Sequence, residues 1–101
     1  MRDIKLSKRA AQKLQELLEY LDSEWSESVK KKFVKKLDQS LRLIRCNPNS
    51  FPKTDYIKGL HRCVVTKQTT IYYTYDESTI FIVTLFDNRQ NPKTIDKEIS
   101  L

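Results

Sequence analysis

Two segments in the first half of the chain place apolar residues three and four positions apart. The first begins after Ser7 and ends near Asp22, and the second begins after Ser26 or Ser28 and ends at Asn47. This spacing puts the apolar side chains on one helix face, and serine favours the position before a helix. A short connection predicts an antiparallel helical hairpin. Its apolar positions are Ala10, Ala11, Leu14, Leu17, Leu18, Leu21, Trp25, Val29, Phe33, Leu37, Leu41 and Ile44.

The second half of the chain contains three segments rich in β-branched and aromatic residues, at 60–66, 69–75 and 79–86. Such residues favour strands. The separators Lys67-Gln68 and Asp76-Glu77-Ser78 are short, which predicts consecutive antiparallel hairpins. This pattern therefore predicts a β-sheet meander in the second half of the chain.

Helices followed by a meander are an α+β layout. A length of 101 residues supports one modest core, so we expect a single domain spanning residues 1–101. The alternating residues 2–6 allow a short strand ahead of the helical hairpin, and Gly59 marks a turn before the sheet. We expect the hairpin to pack on a small antiparallel sheet whose open edges a partner strand could cover.

Alternation along the strands divides the predicted sheet into two faces. One set is assigned to the helices: Cys63, Val65, Ile71, Tyr73, Tyr75, Phe81, Val83 and Leu85. The opposite set is mixed in character: Arg62, Val64, Thr70, Tyr72, Thr74, Ile82, Thr84 and Phe86.

The N-terminus is too polar for a signal peptide, and no apolar run reaches membrane-spanning length. We therefore expect a cytoplasmic protein without a membrane partner. Cys46 and Cys63 are isolated in sequence, so we expect two small buried hydrophobic side chains rather than metal ligands.

The positive charge is concentrated in one segment. Between Ser28 and Cys46, seven basic residues face the single acid Asp38, and this excess equals the net charge of +6. Such a helix attracts polyanions or an acidic protein partner. A solvated lysine-rich helix face is the alternative, and the sequence leaves it open.

Several kinds of catalytic site are excluded by composition. One glycine cannot form a phosphate-binding loop, and one histidine with two dispersed cysteines cannot complete a metal site, so we expect no metal and no cofactor. The remaining candidates are His61, Arg62, Lys67, Tyr72 and Arg89. The two arginines suit a phosphate, or they pair with carboxylates such as Asp76, Glu77 or Asp87.

The segments "KLSKRAAQKLQELLEYLDSEW", "NPNSFP", "GLHRCVVTKQTTIYYTYDES" and "IFIVTLFDNRQNP" together resemble the RelE/ParE superfamily of type II toxin–antitoxin toxins. The resemblance runs from about residue 4 to residue 92. It implies a helical hairpin on a small antiparallel sheet and a cognate acidic antitoxin as partner, in an oligomeric complex. It also implies that the turn after the last strand presents Arg89 at the functional face.

The two branches of the superfamily imply different targets. RelE-like toxins are metal-independent endoribonucleases that cut mRNA on the ribosome, and their catalytic positions match Arg62 and Arg89, with His61 or Tyr72 as substitutes for a proton carrier. In this sequence, Thr70 stands where RelE-like toxins have a further arginine. Residues 93–101 contain neither tyrosine nor histidine, one of which RelE-like toxins usually have in this segment. These departures favour the ParE-like branch, which binds DNA gyrase and does not cleave. A non-toxic antitoxin-binding protein is the third alternative.

The resemblance and the charge pattern together predict two binding surfaces. Arg62 and Arg89 are expected on the sheet face away from the helices. The target would bind Arg62, Lys67, Asn88, Arg89 and Gln90. The antitoxin would dock across the helical hairpin on Lys31, Lys32, Lys35, Lys36 and Trp25, with Leu14, Leu18, Leu21, Val34 and Leu43 as further apolar contacts.

Overall fold

The computed structural model describes residues 2–55 and 57–89. The helices are α1 (Lys8–Glu24) and α2 (Glu27–Cys46), followed by a 3-10 turn at Pro48–Ser50. The strands are β1 (Asp3–Leu6), β2 (His61–Val64), β3 (Thr69–Tyr75) and β4 (Thr79–Asp87). The predicted α+β class and helical hairpin are confirmed. No helix in the described part of the chain is long and apolar enough to cross a membrane.

Serine side chains begin both helices. The hydroxyl of Ser7 accepts a hydrogen bond from the Ala10 N–H at 2.9 Å, and Ser26 accepts one from the Val29 N–H at 3.1 Å. Each bond satisfies a donor that the first helical turn leaves unpaired. Ser7 also donates to the Val83 carbonyl at 2.7 Å. The residue that begins α1 therefore also attaches that helix to the last strand.

The sheet has four strands in the order β1-β4-β3-β2. The predicted meander of β2, β3 and β4 is antiparallel, but β1 joins it parallel to β4, from Asp3 opposite Thr79 to Leu6 opposite Ile82. The sheet is consequently mixed rather than purely antiparallel, and the first half of β4 is not an open edge. The pairing joins segments about 75 residues apart, and local pattern carries no information about such a partner.

The edge of the sheet formed by β2 is also partly covered by the chain. The Arg62 N–H donates to the Pro52 carbonyl at 2.9 Å, and the Thr54 N–H donates to the Leu60 carbonyl at 2.7 Å. The segment before β2 therefore runs along its outer edge. It turns back at Gly59, whose φ of 81° suits a residue without a side chain.

The helices and the sheet enclose one main core. It is formed by Ala10, Leu17, Leu21, Phe33, Ile44, Cys63, Ile71, Tyr73, Ile80, Ile82 and Leu85. A second buried cluster, Leu60, Tyr72 and Phe86 with Val83 against it, includes residues assigned to the opposite face of the sheet.

The predicted faces of β4 are wrong in its first half. A β-bulge places Tyr72 opposite Thr84 but Tyr73 opposite Ile82, so Val83 has no partner of its own. An extra residue reverses the alternation on one side of a bulge. Ile82 therefore enters the main core, Val83 joins the second cluster, and Phe81 is 41% exposed. Beyond the bulge, Leu85 faces the helices as predicted.

The exposed apolar surface of the helical hairpin is smaller than the sequence predicts. Leu21 is fully buried, and Leu14 and Leu18 pack partly buried against the main core. Trp25, Val34 and Leu43 are exposed. Of the cysteines, Cys63 is buried as expected, whereas Cys46 is exposed at the end of α2.

Candidate functional site

The β4 strand ends in a buried carboxylate. Asp87 lies opposite Thr69 on β3, whose hydroxyl donates to the Asp87 carboxylate. The Arg89 guanidinium donates to both carboxylate oxygens, from Nε to Oδ1 at 2.9 Å and from Nη2 to Oδ2, and the Arg89 N–H donates to Oδ1 at 3.0 Å. Side-chain exposure is 0% for Asp87 and 14% for Arg89. The ion pair is therefore largely buried.

The ion pair sets the protonation states of both partners. Burial acts to raise the pKa of Asp87, but hydrogen bonds from Arg89 and Thr69 outweigh it, so that pKa is below its ordinary value of 3.8. The same hydrogen bond with Asp87 raises the pKa of Arg89. Both groups are therefore charged near neutral pH, and each charge compensates the other.

Arg89 lies against the helical hairpin. Its Cζ is 5.6 Å from the centroid of the Trp25 ring, and the Tyr20 hydroxyl donates to the Arg89 carbonyl at 3.4 Å. The prediction that Arg62 and Arg89 share the face away from the helices is wrong. Asp87 follows Leu85 by two positions and points the same way, and the ion pair draws the Arg89 side chain with it. The alternative pairing with Asp87 is confirmed for Arg89.

Arg89 also lines a cleft of about 420 Å³ between α2 and the turn that joins β2 to β3. The rest of the lining is Val29, Lys32, Phe33, Lys35, Lys36, Gln39, Thr66 and Gln68. None of these described lining residues is acidic. Gln39, Thr66 and Gln68 were missed in the sequence, because the β2–β3 turn is brought to α2 only by the fold.

Several of the residues predicted to bind the target or the antitoxin lie around Arg89. Asn88 is exposed and its N–H donates to the Gln68 carbonyl at 2.9 Å, beside the exposed Lys67. We call Trp25, Lys32, Lys35, Lys36, Lys67, Asn88 and Arg89 the basic surface. Lys31 does not line the cleft and pairs with Glu27 at 3.4 Å. Gln90 lies outside the described residues.

The other catalytic candidates lie elsewhere. Arg62 is exposed and pairs across the strands with Tyr72, which is buried and packs edge-on against Phe86. His61 is 3% exposed, with its Nδ1 2.8 Å from the Phe51 carbonyl oxygen and its ring stacked on Tyr73. Since His61 and Arg62 are adjacent on one strand, their side chains point to opposite faces.

The four catalytic candidates therefore do not lie together in one site; they are His61, Arg62, Tyr72 and Arg89. His61 pairs with Tyr73, whereas Asp87 pairs with Thr69 four residues earlier on β3. This separation corresponds to about 13 Å along the strand. In the described residues, no group of three or more histidine, cysteine, aspartate and glutamate residues could hold a metal ion. The arrangement offers a charged binding surface, with its arginine fixed in place.

Comparison with known proteins identifies a family. The family model of the ParE toxin of the type II toxin–antitoxin system, parDE, matches residues 4–92. A search of curated proteins gives no match.

Solved structures share the fold. The chromosomal ParDE TA system from P. aeruginosa gives a TM-score of 0.72 at 12% identity, covering 86% of this chain and 96% of that one. The E. coli DinJ-YafQ complex gives 0.61 at 13% identity, covering 91% and 99%. The YoeB dimer from Staphylococcus aureus gives 0.60 at 21% identity, covering 84% and 94%.

The buried ion pair predicts a specific pH dependence of stability. Because the pKa of Asp87 is lowered on folding, its stabilisation is present above pH 3.8 and is lost as the pH falls through the folded-state value. Asp87→Asn should lower the free energy of unfolding by about 1–3 kcal/mol at pH 7. The difference from the original protein should shrink as the pH falls below 3.8.

Urea unfolding of both proteins from pH 7 to pH 3 measures that difference. Asp76, whose pKa is also lowered, by hydrogen bonds from the backbone N–H groups of Ser78 and Thr79, is present in both proteins and cancels. Two stability curves that stay parallel over the whole range would show that Asp87 is not held by a charge-dependent contact.

Proposed function

Because the chain belongs to the ParE toxin family of type II toxin–antitoxin systems, we propose that it arrests growth by binding DNA gyrase and that a cognate acidic antitoxin neutralises it. The observation that carries the proposal is the fixed Asp87–Arg89 ion pair on the helix side of the sheet. The ion pair fixes the residue that the family resemblance places at the functional face, which supports a role for Arg89 in binding.

The distribution of the other candidates supports binding over cleavage. Cutting RNA through its 2′-hydroxyl requires proton transfer as well as charge stabilisation. His61, the histidine among the candidates, is buried and hydrogen-bonded on a different part of the sheet from Arg89. Arg62 lies on the opposite face. A pre-organised nuclease centre would bring an arginine and a proton carrier to one phosphate.

A metal-independent, ribosome-dependent mRNA endoribonuclease is the second candidate function. One observation favours it: the basic surface combines several lysines with Arg89 around a concave cleft, which suits an RNA backbone. A non-toxic protein that only binds its antitoxin is the third. The same surface would then serve the antitoxin alone.

Gyrase inhibition and mRNA cleavage distinguish the first two candidates. The purified protein should inhibit gyrase supercoiling at concentrations that leave mRNA intact on programmed ribosomes. Lys67→Ala combined with Asn88→Ala should raise the inhibitory concentration about tenfold, because both exposed side chains flank Arg89.

Arg62→Ala is the matched variant on the opposite face, where the side chain is also exposed. If this variant alone weakens inhibition, the target binds the opposite face of the sheet. Ribosome-dependent cleavage with gyrase unaffected would refute the binding proposal and favour the nuclease. Inactivity in both assays, with the antitoxin still bound, would favour the non-toxic alternative.

The antitoxin is proposed to dock on the basic surface and across the exposed part of the hairpin. DinJ-YafQ and YoeB-YefM are both toxin–antitoxin complexes. On this chain, Trp25, Val34 and Leu43 supply exposed apolar contacts, and the lysines of α2 supply charge. An acidic segment bound there would cover Arg89 and its neighbours. Neutralisation would then be direct occlusion of the target-binding surface.

The association rate tests this docking. Replacing Lys31, Lys32, Lys35 and Lys36 by glutamine should slow association about tenfold at low salt and flatten its salt dependence. The control replaces four exposed cations outside α2, Lys5, Lys8, Arg9 and Lys53, by glutamine. Stopped-flow measurements against salt concentration give both slopes. Equal slopes for the two variants would place the docking surface elsewhere.

A further inference from the structure

The cleft beside α2 holds positive charge that the described protein does not neutralise. Lys31 and Arg42, elsewhere on α2, pair with Glu27 and Asp38 one helical turn earlier. By contrast, none of Lys32, Lys35 and Lys36 forms an ion pair with a carboxylate of residues 2–55 or 57–89. Three ammonium groups therefore border one concave volume without a counter-charge from the described residues, an arrangement that attracts an anion.

The spacing along α2 makes these charges converge. Positions 32, 35, 36 and 39 repeat at intervals of three and four residues and lie on one helix face. Arg89 borders the same cleft. Its bonds to Asp87 use Nε and Nη2, so Nη1 lies outside the ion pair. The ion pair therefore holds the guanidinium in place, and its Nη1 group can still donate hydrogen bonds to a ligand.

The opposite wall supplies neutral polar groups and an apolar patch. Thr66 and Gln68 come from the β2–β3 turn, where the Gln68 and Thr69 N–H groups both donate to the Thr66 hydroxyl at 3.1 Å. Val29, half-buried, and the buried Phe33 supply the apolar part of the lining. A ligand that combines an anionic chain with a flat, partly apolar group matches this lining.

The size of the cleft limits the class of ligand. About 420 Å³ lies in the range of small-molecule sites, which is about 300–1,000 Å³. Separate lysine contacts combined with an arginine suit successive phosphate groups. We propose that this cleft binds a nucleoside polyphosphate, with its phosphates on Lys32, Lys35, Lys36 and Arg89 and its nucleoside against Val29. The inference goes beyond the proposed function and does not depend on it.

Titration calorimetry with the full chain tests the site directly. ATP, without magnesium, is expected to bind saturably and about tenfold more tightly than AMP, because more phosphates meet more cations. Adenosine should show no measurable binding. A tetraglutamate peptide serves as a carboxylate anion of similar charge and should bind more weakly than ATP.

Paired variants distinguish the cleft from general attraction to a basic protein. Lys32→Gln with Lys36→Gln should weaken ATP binding about tenfold. The control, Lys31→Gln with Arg42→Gln, makes the same charge change on the same helix outside the cleft and should change it less than about twofold. Equal losses in both variants, no saturable ATP binding, or tighter binding of tetraglutamate or of a short single-stranded DNA would overturn the proposal.

Discussion

The buried carboxylate of Asp87 is the constraint on which the candidate site depends. A charge at 0% exposure is unfavourable unless hydrogen bonds and an opposite charge compensate it. Thr69 supplies one bond from the neighbouring strand, and Arg89 supplies the charge from the turn that follows. Satisfying Asp87 therefore fixes the end of the β3–β4 hairpin, the turn at Asn88 and the direction of the arginine side chain.

The direction of the Arg89 side chain determines which residues surround it on the protein surface. Arg89 is held beside Trp25 at the end of α1 and beside the lysines of α2. Several residues that the sequence divides between target and antitoxin consequently lie close to one another. The arginine contributes orientation and hydrogen-bond donors, while Lys32, Lys35 and Lys36 contribute positive charge that no carboxylate of residues 2–55 or 57–89 pairs with. A surface of this composition attracts anions.

Local features of the fold could be predicted from the sequence, because local spacing determines them. The helical hairpin, its serine caps and the three antiparallel strands follow from apolar periodicity and short connections. The parallel pairing of β1 with β4 and the bulge at Val83 depend on contacts between distant segments, which periodicity does not report. The side on which Arg89 lies was missed for a related reason. The pattern offers a phosphate or a carboxylate as its partner, and only the burial of Asp87 decides between them.

A double-mutant cycle on the free energy of unfolding tests the central claim, that Asp87 holds Arg89 in place. The cycle uses Asp87→Asn, Arg89→Met and the double variant. The exposed pair of Asp38 and Arg42, 3.0 Å apart on α2, provides the control cycle. The account predicts a coupling of about 1–3 kcal/mol for the buried pair and about 0.5 kcal/mol or less for the exposed pair. A buried-pair coupling no larger than the exposed-pair coupling would contradict the account.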